Sequence, residues 1–215
     1  MGVLFDSNLY SLTTVIGFVW TLAVFFLLYT KKGAEISSNK WLLLVTFPAA
    51  YVAVPMVAAD VDALTQLAGG VATLDGHIGY SSADITEFAI ALGEAGRVEY
   101  ALFQLGMDTL APPAFAGVLI SVVRGTVAFD RVKKILVVLV SVYFLSVLFA
   151  NALMPVYMLN YPAEDNLSAL LFVLLPALDG IKYGTHAVVW LAIISSWCIW
   201  LVSKYFSKPP VEAAQ

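Results

Sequence analysis

The feature that most constrains this chain is a series of apolar stretches, each at or above the length that crosses a lipid bilayer. A helix needs about 20 mostly apolar residues to span a hydrocarbon core of ~30 Å. Residues 12–30 and 41–59 carry no charge, 100–123 carries only Asp108, and 135–163 carries none. The last stretch, 167–203, contains Asp179, Lys182 and His186. The pattern predicts an all-α polytopic transmembrane helix bundle, one membrane domain over 1–215, with spans at about 12–30, 41–59, 100–123, 135–158 and 179–203.

Composition agrees. The chain is 61% hydrophobic and 12% charged, about half the charge of a soluble domain. That excludes a soluble globular protein and a disordered chain. With a net charge of −4 there is no basic face for nucleic acid. The single cysteine, Cys198, excludes a disulfide framework and CxxC-type sites. Only two histidines, His77 and His186, are present, so neither a metal cluster nor a bis-histidine haem is indicated. The sequence implies no cofactor.

Lys and Arg are retained in cytoplasmic loops, so their distribution sets orientation. With five spans, Lys31, Lys32, Lys40, Arg124, Arg131, Lys133, Lys134, Lys204 and Lys208 fall on one side. The other side collects Asp6, the acids between Asp60 and Glu99, Glu164 and Asp165, with a single basic residue, Arg97. The N-terminus is therefore expected outside and the C-terminus inside. The first span has no basic region before it and runs into Lys31–Lys32, which reads as a retained span rather than a cleavable signal. Met1-Gly2 is not a myristoylation site, because position 6 is Asp.

The segment 60–99 is the one sizeable extramembrane piece. Asp75-Gly76 suggests a tight turn of a possible hairpin at 71–80. Asp84 with Glu87 three residues on has capping-box character. From there Ile85, Phe88, Ala89, Leu92 and Ala95 recur at helical spacing, predicting an amphipathic helix over 84–97, kinked near Gly93 and Gly96, that runs into the third span. Such a helix reads as a lid packed on the outer bundle ends; docking or gating is the functional alternative.

Gly79-Tyr80-Ser81, then Leu92-Gly93-Glu94-Ala95-Gly96-Arg97 and Tyr100, resemble an uncharacterised family of small bacterial multi-spanning integral membrane proteins. The resemblance continues through Asp108 and Pro112, Asn151, Tyr161-Pro162 and Lys182-Tyr183, in order across about residues 79–183. It implies a multi-pass protein of the bacterial inner (plasma) membrane and an outer motif of Tyr80, Ser81, Glu94, Arg97 and Tyr100, but no activity. The family has an acid just before the Asn and another about three residues further back. Here those places hold Ala150 and the uncharged Ser146–Val147 region, so any role of those carboxylates has no counterpart.

Ionisable groups in hydrocarbon are costly, at least about 2.5–3.5 kcal/mol on insertion scales, and each marks a site by default. Asp108 and Lys182 can meet at similar depth, either as a structural ion pair or as a proton- or ion-coupled site. Asp179, Lys182 and His186 share a helix face. Pro176, Gly180 and Gly184 invite a break or bend there. Counting back about 20 residues from the anchors Trp197, Trp200, Lys204 and Tyr205 puts Asp179 near the outer boundary. Residues 167–178 then form an apolar half-helix that is re-entrant, tilted, or buried against the outer segment or a partner. His186 reads as a hydrogen-bonded packing residue more than as a ligand. Asn151 would bridge helices or satisfy backbone groups, and Pro48, Pro55, Pro112, Pro113 and Pro155 imply kinks.

Known chemistries find little support. Five spans cannot build a seven-helix retinal pocket, and there is no GxSxG, P-loop, HExxH or GxGxxG. With no catalytic constellation, the reading from sequence is a non-catalytic membrane protein: an accessory or assembly subunit of a larger complex. Its partners would be the lipid bilayer and either other membrane subunits or further copies of itself. The alternative is a small oligomeric ion- or proton-coupled transporter using Asp108 and Lys182.

Overall fold

The structure, a computed structural model, describes residues 7–74, 79–162 and 166–206. Among these residues there are seven α-helices and no strand: α1 (Ser7–Tyr29), α2 (Lys31–Ser37), α3 (Leu43–Leu67), α4 (Ser82–Leu105), α5 (Ala111–Thr126), α6 (Asp130–Asn160) and α7 (Asn166–Phe206). Five segments are long and apolar enough to cross a membrane: Leu12–Tyr29, Leu43–Leu67, the composite Ser82–Thr126, Asp130–Asn160 and Asn166–Tyr205. The chain is a multi-pass membrane protein built as a helical bundle.

The third span is not one continuous helix, as 100–123 had suggested. It stops at Leu105, passes through a 3-10 turn at Met107–Leu110 and restarts at Ala111. Proline has no N–H, so Pro112 and Pro113 cannot donate to the carbonyls of Asp108 and Thr109 four residues back. A run of α-helix from Leu105 onward would leave both acceptors without partners. The prolines instead occupy the first turn of α5, where helix amides lack intrahelical acceptors anyway.

The break is sealed by its neighbours. α5 is buried on almost every side, from Pro112 to Val123, and it packs against α1, α3, α6 and α7. α1 approaches the break so closely that a Cβ on Gly17 would overlap the side chain and carbonyl of Thr109. α6 packs along both α4 and α5, with Asn151 beside Asp108. α7 runs parallel to the broken span, because Ser82 donates to the Phe172 carbonyl at 2.7 Å near one end and Trp197 to Thr126 at 2.9 Å near the other.

Several boundaries differ from those expected. α3 continues two turns past residue 59, to Leu67, because Leu64 and Ala68 keep helical spacing and bury themselves. No hairpin forms at 71–74: Thr73 and Leu74 are buried in the bundle, which favours packing over strand pairing. The Asp75-Gly76 turn lies outside the described residues. The cap of α4 is Ser81, not Asp84. Asp84 occupies the third helical position and accepts from the Ser81 amide at 2.6 Å, while its own amide donates to Ser81 Oγ at 3.3 Å. The amphipathic segment 84–97 and the start of the third span are one helix, α4. Residues 167–178 are likewise no separate half-helix. They are the first turns of α7, whose 41 residues rise about 60 Å at ~1.5 Å per residue, twice a hydrocarbon core. Leu171 and Leu175 bury that extension, and it packs against α4 and α6 through Ser82 and Tyr157.

Gly93 explains the kink in α4. Its φ of +64° and ψ of −179° lie in a region essentially confined to glycine. Departing from helix there frees the Ala89 carbonyl, and Arg97 Nη1 donates to it at 3.1 Å. Arg97 also stacks over the Tyr161 ring at 5.1 Å. At the opposite end of the bundle Arg124 does similar work. It donates to the carbonyls of Leu27 and Leu28 at the close of α1 and to Ser37 Oγ at 2.7 Å in α2. Carbonyls at a helix C-terminus carry partial negative charge and lack intrahelical donors.

Hydrogen bonds to charged groups are worth about 1.5–3 kcal/mol. Arg124→Ala should therefore lower stability by about 2–3 kcal/mol in reversible unfolding from mixed micelles, and Arg124→Lys should recover only part of it. An Arg124→Ala protein as stable as wild type would show that the cap contributes nothing.

Candidate functional site

The break in the third span opens onto a partly open cavity of about 430 Å³. One wall is α3, through Val54, Val57, Ala58 and Val61, with Asp62 at its rim. The 3-10 turn and α5 contribute Asp108, Ala111, Pro112 and Phe115. From α6 come Tyr143, Val147 and Asn151, one stripe at four-residue spacing, which places them one above the other on a helix. α7 adds Lys182, Tyr183 and His186.

Asp108 sits at the break itself, 8% exposed, and accepts a 2.6 Å hydrogen bond from Asn151 Nδ2. Non-helical backbone is tolerated at membrane depth only where it is buried in protein or lines a cavity, and this turn does both. Asn151 is the natural donor, since its amide can serve a carboxylate without adding charge.

Lys182 Nζ lies 2.8 Å from Asp179 Oδ1, one turn earlier on α7, and 4.5 Å from the centre of the Tyr183 ring. Asp179 is 1% exposed and does not reach the cavity. Its second oxygen accepts the Gly79 amide at 3.0 Å, tying α7 to the segment before α4. Asp179 therefore sits behind Lys182 and holds it in place. His186 Nε2 accepts from Trp190 Nε1 at 2.9 Å, which makes it a neutral imidazole with its proton on Nδ1. The ring packs at 5.1 Å from Tyr143 and edge-on to Phe115 at 5.9 Å.

Of the membrane residues singled out from sequence, Asp108, Asn151, Lys182 and His186 thus meet on one cavity, and Asp179 stands directly behind it. The outer motif lies elsewhere and has an architectural part. Tyr80 donates to the Leu175 carbonyl at 3.4 Å, Ser81 caps α4, and Arg97 stabilises the kink. Tyr100 is fully buried, edge-on to Phe88 at 5.0 Å, and its hydroxyl accepts from Gln104 at 3.1 Å. Glu94 is exposed. Sequence reasoning passed over Tyr143, Phe115 and Asp62. Tyr143 could have been found by following the stripe two turns back from Asn151; nothing local marks Phe115 or Asp62. Among the described residues no three His, Cys, Asp or Glu side chains group to hold a metal ion.

No protein-family model, curated protein or solved structure matches the chain.

The Asp108–Asn151 contact can be tested by exchange. Asn151→Asp places two carboxylates together and should lower stability by at least about 2 kcal/mol, the scale of a buried polar group deprived of its partner. The double variant Asp108→Asn with Asn151→Asp restores one donor and one acceptor and should recover more than half of that loss. Additive losses in thermal unfolding would show that the two side chains do not depend on each other.

Proposed function

We propose that this protein is a small membrane carrier that binds an ion or solute in the cavity at Asp108 and Lys182. The observation that carries the reading is the interrupted third span, with an acid at its break opening onto a cavity where a lysine and a histidine from α7 converge. Discontinuous helices that place ionisable side chains and irregular backbone on a mid-bundle cavity are the common construction of transporter sites. Ionisable residues retained inside a membrane domain mark ion or proton pathways. An N-outside orientation in a bacterial inner membrane fits the same picture. Arg124 gathers the ends of α1 and α5 with α2 at one end of the bundle, the end that carries Lys31, Lys32, Arg131, Lys133 and Lys134 in sequence.

A second reading, an accessory or assembly subunit, has its own support. The extension of α7 exposes Leu167, Leu170 and Val173, the last 72% exposed, at the spacing of one helix face. That apolar stripe suits a neighbouring membrane subunit or a second copy of the chain.

In proteoliposomes under an imposed membrane potential, with lumenal pH followed by a trapped dye, wild type should carry protons at least ten-fold faster than protein-free vesicles. Asp108→Asn and Lys182→Met should each abolish this while leaving expression and detergent elution unchanged. Flux no faster than in empty vesicles, together with a larger native assembly recovered in gentle detergent, would replace the carrier with the subunit.

A further inference from the structure

We infer that the ligand of this cavity is a lipophilic organic cation, an ammonium-type group with apolar substituents, that enters sideways from the bilayer between α3 and α7. The inference rests on reading the cavity as a binding site and adds the class and route of its occupant.

Charge points to a cation. Asp62 and Asp108 line the cavity, and its one lining ammonium, Lys182, already has Asp179 at 2.8 Å. With Lys182 paired to Asp179 behind the wall, the formal charge left at the cavity is that of the two acids that line it. His186 adds no charge, since its Nε2 accepts the Trp190 proton. A carboxylate at a membrane cavity is costly to keep charged unless a positive group balances it; with Asp108 buried at the break and Asp62 exposed at the rim, a cationic occupant supplies that balance.

The walls narrow the class. Phe115, Tyr143, Tyr183 and His186 line the cavity with aromatic surface, and aromatic faces attract ammonium groups most strongly when water is excluded. Calcium or magnesium would want six or more oxygens around it, whereas the α3 wall, Asp62 at its rim apart, is Val54, Val57, Ala58 and Val61. An organic cation uses both surfaces at once, its charge toward Asp108 and its apolar groups against α3.

The route follows from helix packing. α3 and α7 bound the cavity from two sides, yet they make at most a grazing contact with each other, while each packs on α5. A gap between two lipid-facing helices opens toward hydrocarbon. Val54 belongs to the cavity wall and is 41% exposed. On α7, Ile181 and Val188 flank the lining residues and are 44% and 50% exposed. These apolar lips match a membrane-dissolved ligand.

The test uses two probes of the same shape and opposite charge, tetraphenylphosphonium and tetraphenylborate, with the full chain in phosphatidylcholine nanodiscs. Tetraphenylphosphonium should bind saturably and at least ten-fold tighter than tetraphenylborate. Asp108→Asn should weaken it at least ten-fold and Asp62→Asn about three-fold, the rim variant serving as the check should the buried one fail to fold. Ala58→Trp, which preserves every charge but fills the cavity from the exposed α3 side, should also weaken binding at least ten-fold. Tighter tetraphenylborate binding, or no saturable binding of the cation, overturns the assigned class. Unchanged affinity in Ala58→Trp overturns this cavity as the binding site, and an association rate unchanged in Val188→Trp, which crowds the exposed α7 lip, overturns the lateral route. Cation binding without proton flux leaves this inference standing and removes proton coupling from the carrier; proton flux without cation binding leaves the coupling and overturns this inference.

Discussion

The structure depends on what a pair of prolines does where no water can help. Pro112 and Pro113 remove two amide donors from the third span, and in hydrocarbon a carbonyl left without a partner costs several kcal/mol. Single prolines lie inside the continuous helices α6 and α7, and two spaced ones inside α3, but two in succession come with an interruption in this span, and the turn there cannot face lipid. That condition is met by placing the turn and α5 at the centre, with α1, α3, α6 and α7 packed around them. In lipid there is no hydrophobic force to draw helices together, so close approach and polar contacts must do it. Gly17 against Thr109 and Asn151 against Asp108 are contacts of that kind.

The same logic governs the two ends of the bundle. At Gly93 and at the end of α1, where the backbone leaves helical geometry, a guanidinium supplies the missing donor. Arg97 serves the Ala89 carbonyl released at Gly93, and Arg124 serves the carbonyls that end α1. Arginine suits both places because its planar group donates several hydrogen bonds in fixed directions. A bundle whose ends are held in this way can keep a partly open, charged cavity between them.

That cavity balances opposing demands. Its acids and its lysine are costly to hold in a membrane domain, and part of the cost is offset by partners drawn from other elements: Asn151 on α6 for Asp108, and the Gly79 amide for Asp179. The remainder is the reason to read it as functional, since a purely structural bundle gains nothing from an opening lined by acids and aromatic rings.

Much of this was legible in the residues, and the limits were physical. Span number and the all-α class follow from apolar length alone, because only helices of that length satisfy their own backbone in lipid. Asp108, Asn151, Lys182 and His186 stood out because a polar group in an apolar run is conspicuous. Phe115 could not be picked out, since one aromatic among apolar residues looks like its neighbours, and Asp62 sat among acids assigned to a loop. The cap at Ser81 was read three residues late because Asp84 can serve as either cap or third-position partner, and only the fold of the segment before it decides. What the sequence determined was a set of membrane-length helices and a kink at Pro112-Pro113, both consequences of local chemistry; that the kink is a full break with a 3-10 turn is seen only in the fold. Tertiary structure alone decided that α7 packs along the broken span, that the Gly79 amide anchors Asp179, and that residues of α3, the broken span, α6 and α7 converge on one cavity. Those outcomes depend on which helix faces meet, and that is a property of packing rather than of any one segment.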